Sequence, residues 1–186
     1  RVLIGLDPPR AQAMLDHLIA FLRSTLQASR SDTHPLAAEF ERLDDYLALM
    51  GVRMGPRLQV ALHLPPDLRE LPVPPLLLQP LVENSIQHGL EPQVEGGRIE
   101  VRAARDGDSL VLTVLDTGAG LADAAAPGGT GFGTHQVRER LAALYGPAAS
   151  LQLGPAPGGG TLARVVLPAP PPSTSASPPP STSPRP

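Results

Sequence analysis

The 186-residue chain contains no lysine, no cysteine and no tryptophan. Without lysine, three mechanisms are excluded: the P-loop phosphate clamp, Schiff-base chemistry and the lysine-dependent mechanism of protein kinases. Any phosphate bound here must be held by other groups. Without cysteine there is no thiolate catalysis, disulfide, iron-sulfur cluster or cysteine-ligated zinc, a composition that fits a reducing compartment. Only five aromatic residues are available for base stacking, and the 15 arginines are scattered among 18 acids for a net charge of −3. That balance argues against nucleic acid as a partner. No apolar run is long enough to cross a membrane, so spanning within these residues is excluded.

Composition divides the chain into three parts. From Pro168 to Pro186 nine of 19 positions are Pro and seven are Ser or Thr, so nothing in residues 169–186 can bury a core, and a disordered tail is expected. At the other end, Arg1 to Leu6 is a short apolar piece without signal-peptide architecture, and the lack of an initiating Met leads us to expect further sequence upstream. Residues 1–56 read as a helical hairpin. Asp7 can cap a first helix, Pro8 and Pro9 suit its first turn, and Leu15, Leu18, Leu22 and Leu26 recur at helical spacing to near Ser29. Pro35 opens a second helix with Leu36, Phe40, Leu43, Leu47 and Met50 on one stripe and Glu39, Glu41, Arg42, Asp44 and Asp45 mostly off it. Two such stripes cannot bury themselves well alone, which predicts dimerisation into a four-helix bundle or packing against the rest of the chain.

Residues 57–168 change period to that of a mixed α/β domain. Leu58 to Leu64 alternates as a strand, and Pro74 to His88 reads as a helix with proline at its start. Arg98 to Ala104 and Leu110 to Leu115 read as strands joined at Asp106-Gly107-Asp108. Thr117 to Thr130 is a Gly- and Ala-rich loop, followed by a helix from Phe132 to Tyr145 and two final strands near Leu151 and from Thr161 to Leu167. The fold class expected is α+β.

Four short pieces carry chemistry. Asp116-Thr117-Gly118-Ala119-Gly120 ends an apolar strand, where an aspartate emerges and two glycines let backbone approach a ligand, or where the chain simply turns. Gly128 to Gly133 runs into a helix, whose free N–H groups and dipole could receive phosphates without lysine; a plain connection is the alternative. Glu83 and Asn84 stand among Leu78, Leu81, Val82 and Ile86, where their oxygens could serve a hard cation such as Mg²⁺ or merely form a polar face. Gly158-Gly159-Gly160-Thr161 opens the last strand as a fourth box or as a turn.

In this order the pieces resemble the ATP-binding domain of histidine kinases, more narrowly the LytS-type sensor kinases of the GHKL superfamily. Leu78 to Gly89 is similar to the family's N box and Val137-Arg138-Glu139-Arg140-Leu141 to the helix after its ATP lid, while Phe21-Leu22-Arg23 and Tyr46-Leu47 resemble its helical region. The resemblance implies a dimerisation-type helical hairpin followed by a GHKL α/β sandwich, the Bergerat fold, with a mixed sheet covered by helices on one face. It also implies ATP and Mg²⁺ as cofactors. Asn84 matches the magnesium-ligating asparagine and Asp116 the aspartate that accepts from the adenine amine. Gly118 and Gly120 match the glycines beside the base. Gly129, Thr130, Gly131 and Gly133 fall in the lid's glycine box near the phosphates, and Thr161 matches the threonine of the last box. His88 falls in the N box, lining the pocket or packed beside it, and Glu83 adjoins the magnesium asparagine, where it either polarises the attacking group or is a solvated carboxylate.

Several positions depart from the pattern. Gln87 stands where lysine is usual, Thr117 where asparagine is common, and Thr134 and Gln136 where leucine and asparagine are typical; the missing cation at position 87 points to weaker phosphate affinity. The family's phosphoacceptor histidine lies in a Pro-His-Phe motif that does not occur here. His17 lacks that context, His34 and His63 read as loop or strand-surface residues, and His135 as surface. No pair has zinc spacing. The implied reaction is transfer of the ATP γ-phosphoryl group to a histidine upstream of this chain and thence to an aspartate on a response-regulator receiver domain. Homodimerisation would run through the hairpin, and the site would lie on the cytoplasmic face of a membrane reached only through upstream segments. The alternatives are a degenerate kinase serving as a non-enzymatic dimerisation or partner-binding module, and an ATP-hydrolysing machine. The latter needs a glutamate one turn before Asn84, where this chain has Pro80.

Overall fold

The computed structural model describes residues 32–120 and 132–169, with positions 12, 15, 16, 18, 19 and 22. Those six positions are helical and exposed, within the helix expected between Asp7 and Ser29; the other residues of that stretch, residues 121–131 and residues 170–186 lie outside the described residues. The first continuous segment pairs β1 (His34–Pro35) antiparallel with β3 (Pro72–Val73), a two-residue ladder without sequence signal. Between them run helix α1 (Leu36–Met54), which starts directly after Pro35 as expected, and strand β2 (Leu58–His63). Next come helix α2 (Gln79–Asn84), a π-helical turn (Ser85–Leu90), β4 (Gly97–Asp106) and β5 (Ser109–Asp116). Helix α3 (Phe132–Tyr145), β6 (Ser150–Pro155) and β7 (Thr161–Pro168) complete the fold.

The main sheet has the order β2-β4-β5-β7-β6. β2 runs parallel to β4 and every other pair is antiparallel, so the sheet is mixed. Alternation decides which side is covered. Ile99, Val101 and Ala103 of β4 lie opposite Asp116, Val114 and Leu112 of β5, and the row continues to Ala163 and Val165 of β7. All are buried, and α1 (Leu36, Phe40, Leu43, Leu47), α2 (Leu81, Val82), the π turn (Ile86, Leu90) and α3 (Val137, Leu141) pack on them in one core. Each fully buried leucine there contributes about 1.5–3 kcal/mol. The opposite side of β4 presents Arg98, Glu100 and Arg102, with both arginines more than half exposed.

Three expectations need correction. The helix read from Pro74 to His88 begins only at Gln79 and continues as a π turn. Residues before proline avoid the α region, and Leu76 adopts φ 60, so the chain cannot start a helix at Pro74. Glu39 and Arg42, placed mostly off the apolar stripe, are buried to 1% and 3% exposure, Arg42 bonding Glu39 and Glu39 accepting also from the 76–78 loop. His34, read as a loop-surface residue, is largely buried with its Nε2 2.9 Å from Glu39 Oε1.

Candidate functional site

Strand β5 ends by delivering Asp116 to the covered face of the sheet, where it is 1% exposed. Burying a carboxylate is costly unless donors meet it. Here the N–H of Gly118 (2.9 Å) and that of Thr161 (3.2 Å) both donate to Oδ1, and neither reaches Oδ2. The chain after β5 is fastened on both sides. Thr117 exchanges bonds with Arg98 of β4, donating its N–H to the Arg98 carbonyl and accepting the Arg98 N–H at Oγ1 (2.9 Å). On the other side Ala119 N–H donates to the Gly89 carbonyl (3.1 Å). Two glycines are forced by contact: a Cβ on Gly118 would lie 2.3 Å from the Gly89 backbone, and one on Gly160, at φ 87, would lie 1.9 Å from the Asp116 carbonyl.

Helix α2 carries the second half of the site. Its last residue, Asn84, is half-buried. A Cβ on Gly133 would stand 3.5 Å from the Asn84 amide nitrogen and 3.2 Å from Pro80, which places the start of α3 against α2. Past Asn84 the helix widens, with Glu91 N–H donating to the Ile86 carbonyl five residues back (2.8 Å). Such π turns frequently occur at functional sites. This one brings Gly89 against the Asp116 carboxylate, whose Oδ1 would lie 3.0 Å from an added Cβ. Glu83 accepts from Gln79 Nε2 (2.7 Å) and faces Tyr46 of α1, whose phenol is pushed up chiefly by burial and further by the Glu83 and Glu91 carboxylates.

Behind α2 stands a second buried carboxylate. Glu39 Oε1 accepts from Leu76 N–H (2.8 Å), from Arg42 Nη1, and lies beside His34 Nε2; Oε2 accepts from Leu77 (2.9 Å) and Leu78 (3.0 Å). Burial pushes this carboxyl up, but the bonds from His34 and the Leu78 amide and the Arg42 charge outweigh it and hold Glu39 below the ordinary value of 4.5. Arg140 of α3 donates to the Pro75 carbonyl, fastening the same loop from the other side.

The expected residues therefore fall into three sets. Asp116, Gly118 and Thr161 are joined by hydrogen bonds, with Gly120 packed against Gly160, and Asn84 and Gly133 adjoin one another. His88 and Gln87 are exposed, and His135 pairs with Glu139 on the surface of α3. Gly129, Thr130 and Gly131 lie outside the described residues. Sequence reasoning placed Gly89 and Gly160 in their boxes without their contacts to Asp116, and it missed Glu39. For Glu39 a signal existed, since it falls between Leu36 and Leu43 on the helical stripe, where a carboxylate implies a buried partner. A groove of about 580 Å³ between residues 76–80 and α3 is lined by neither Asp116 nor Asn84, so it is distinct from this site.

A buried carboxylate with one oxygen committed can accept from a further N–H or O–H donor. A half-buried amide oxygen suits a hard cation. Among the described residues no three His, Asp or Glu side chains gather to hold a metal alone, so a cation at Asn84 would take most of its ligands from phosphates and water.

Residues 75–171 match the family of histidine kinase-, DNA gyrase B-, and HSP90-like ATPases, and residues 1–58 match the histidine kinase family. Sensor protein LytS of Staphylococcus haemolyticus is 33% identical over 159 residues, covering 80% of this chain and 27% of that protein. Sensor histidine kinase BtsS of Escherichia coli is 33% identical over 146 residues, covering 78% and 26% respectively. The chain thus spans about a quarter of the length of these relatives. Among solved structures, the histidine kinase domain of the Erythrobacter litoralis EL346 blue-light activated histidine kinase superposes with a TM-score of 0.59 at 22% identity, over 83% of this chain and 74% of that one. The catalytic domain of histidine kinase ThkA superposes at 0.55 with 15% identity, over 73% and 94%. Both share the α+β fold with its mixed sheet.

Proposed function

The chain belongs to the histidine kinase-, DNA gyrase B-, and HSP90-like ATPase family, and on that footing we propose that it is the ATP-binding kinase region of a two-component sensor histidine kinase. The observation that carries this reading is the junction at Asp116, where a buried carboxylate is held by Gly118 and Thr161 through one oxygen only. Its remaining acceptor capacity is the group that an adenine amine requires. Gly118, Gly120 and Thr161 then surround the base, while Asn84 and Gly133 mark the phosphate side, with Gly129, Thr130 and Gly131 in the connecting segment. Mg²⁺ held through Asn84 would neutralise phosphate charge. With no lysine in the chain, backbone N–H groups at the start of α3 carry the rest of that task.

In the reaction proposed, the bond between the γ-phosphorus and the ADP oxygen breaks as one forms to an imidazole nitrogen, and ADP departs. Imidazole is substantially neutral near pH 7, so positioning matters more than a strong base. Glu83, engaged by Gln79, is the nearest carboxylate to Asn84 in sequence and is assigned no more than a polarising role. Proposed partners are a second copy through the helical hairpin and the receiver domain of a response regulator. The proposed location is the cytoplasmic face of a membrane; among the described residues no helix is long and apolar enough to cross one.

The test joins a Pro-His-Phe helix to the N-terminus of this chain and supplies ATP labelled at the γ-phosphate. Acid-labile label on that histidine is expected. Nucleotide binding without labelling would instead favour the non-enzymatic module, and neither binding nor labelling would remove the nucleotide reading.

A further inference from the structure

Glu39 receives more than packing alone explains. A carboxylate exposed by only 1% collects three successive backbone N–H groups, from Leu76, Leu77 and Leu78, together with Arg42 and His34. Converging amides of this kind form an anion nest. The nest contains Leu76 at φ 60, the one non-glycine residue at positive φ among those described, a backbone state that a leucine holds only when its surroundings over-determine it.

That loop leads straight into the helix of Asn84. Leu78 is the N-cap of α2, no side chain caps it, and α2 is only six residues long. Two anchors therefore fix α2: the Glu39 nest at its start and, beyond its end, the π turn that sets Gly89 against Asp116, with Ala119 N–H on the Gly89 carbonyl. Asn84 lies between them.

We propose that Glu39 is a positioning residue for the metal-phosphate half of the nucleotide site, holding α2 so that Asn84 stands at a set distance from Asp116. This rests on the nucleotide reading given above. The second anchor survives loss of the first, so the two halves of the site should respond differently. Glu39→Gln keeps the shape but removes the charge and offers an amide to at least one of the three N–H donors. Adenosine affinity is expected to stay within about twofold, while the gain in ATP affinity conferred by Mg²⁺ falls by roughly 10–100-fold, as when a partner orienting a metal ligand is lost. Glu39→Asp, which restores the charge, recovers part of that gain.

The test titrates the 186-residue chain and both variants with adenosine and with a non-hydrolysable ATP analogue, with and without Mg²⁺. A second measurement does not depend on a variant folding. Coupling is reciprocal, so the magnesium-bound analogue must slow hydrogen exchange at Leu76, Leu77 and Leu78 of the unaltered protein relative to the β5 amides, and adenosine must not. Failure of the unaltered protein to bind either ligand would remove the nucleotide reading itself. Magnesium-dependent binding that is equal in Glu39→Gln, or exchange at residues 76–78 indifferent to the magnesium complex, would overturn the positioning role while leaving that reading intact.

Discussion

Asp116 and Glu39 are both carboxylates exposed by only 1%, yet their surroundings differ in kind. Glu39 has both oxygens engaged, by three amides and a guanidinium, with the His34 Nε2 2.9 Å from Oε1. Asp116 takes its two described donors on a single oxygen. A carboxylate accepts at about four lone-pair positions, so the first is saturated by the protein and the second retains capacity for something else. Burial alone therefore does not mark a functional acid; on the reading proposed above, the unspent acceptor capacity of Asp116 is what a ligand would use.

Removing the saturated carboxylate should show the largest effect. Glu39→Ala leaves Arg42 buried without its partner, and a loss of about 3–5 kcal/mol in unfolding free energy is expected from denaturant titration. The same contact sets an acid limit. Because the folded state holds Glu39 below 4.5, its contribution is complete above that pH and is lost as pH falls through the lower folded value. The melting temperature of Glu39→Gln should accordingly fall less between pH 5 and pH 3 than that of the unaltered protein; parallel curves would mean that Glu39 does not supply the acid limb. The titratable side chains facing it are His34 and Arg42.

Next in size is the contact that shapes the open carboxylate. Gly118→Ala drives a methyl into the Gly89 backbone, 2.3 Å away, so a loss of about 1–3 kcal/mol is expected together with weaker nucleotide binding. Unchanged stability would show that the approach of the two loops is looser than described. The smallest effect belongs to a third carboxylate. Glu100 lies on the uncovered side of the sheet, hydrogen-bonded by Arg102, which is 56% exposed, and by Arg98. Arg102→Ala should change stability by less than about 1 kcal/mol, the range of exposed ion pairs. A larger loss would mean that this side of the sheet is covered in the intact protein.

Much of this organisation is legible in the residues. All five strands of the main sheet are legible, Leu58 to Leu64, Arg98 to Ala104 and Leu110 to Leu115 from their pattern and the two final ones near Leu151 and from Thr161 to Leu167. Phe132 to Tyr145 is helical with the bounds expected. Asp116 and the glycines after it are a weak signal alone, since a plain strand-to-loop turn looks the same, and they stand out only because four such pieces occur in order. Other features depend on pairings distant in sequence and leave no local trace. The β1–β3 ladder joins His34 to Val73, and the Glu39 nest joins one turn of α1 to amides 37–39 residues away. Those amides also explain why Pro74 to Leu78 is not helix despite its apolar run: their N–H groups are directed at Glu39 rather than along a helix axis.

The measurement that bears most directly on the central claim is calorimetric titration of this chain with a non-hydrolysable ATP analogue, beside Asp116→Asn. Asparagine replaces one acceptor oxygen with a donor and removes the charge, which for a hydrogen bond to a charged group is worth about 1.5–3 kcal/mol. The expected result is saturable binding by the unaltered protein, weakened roughly 10–100-fold in Asp116→Asn. Equal affinity in the two proteins, or no binding by a folded sample of the first, would contradict the account.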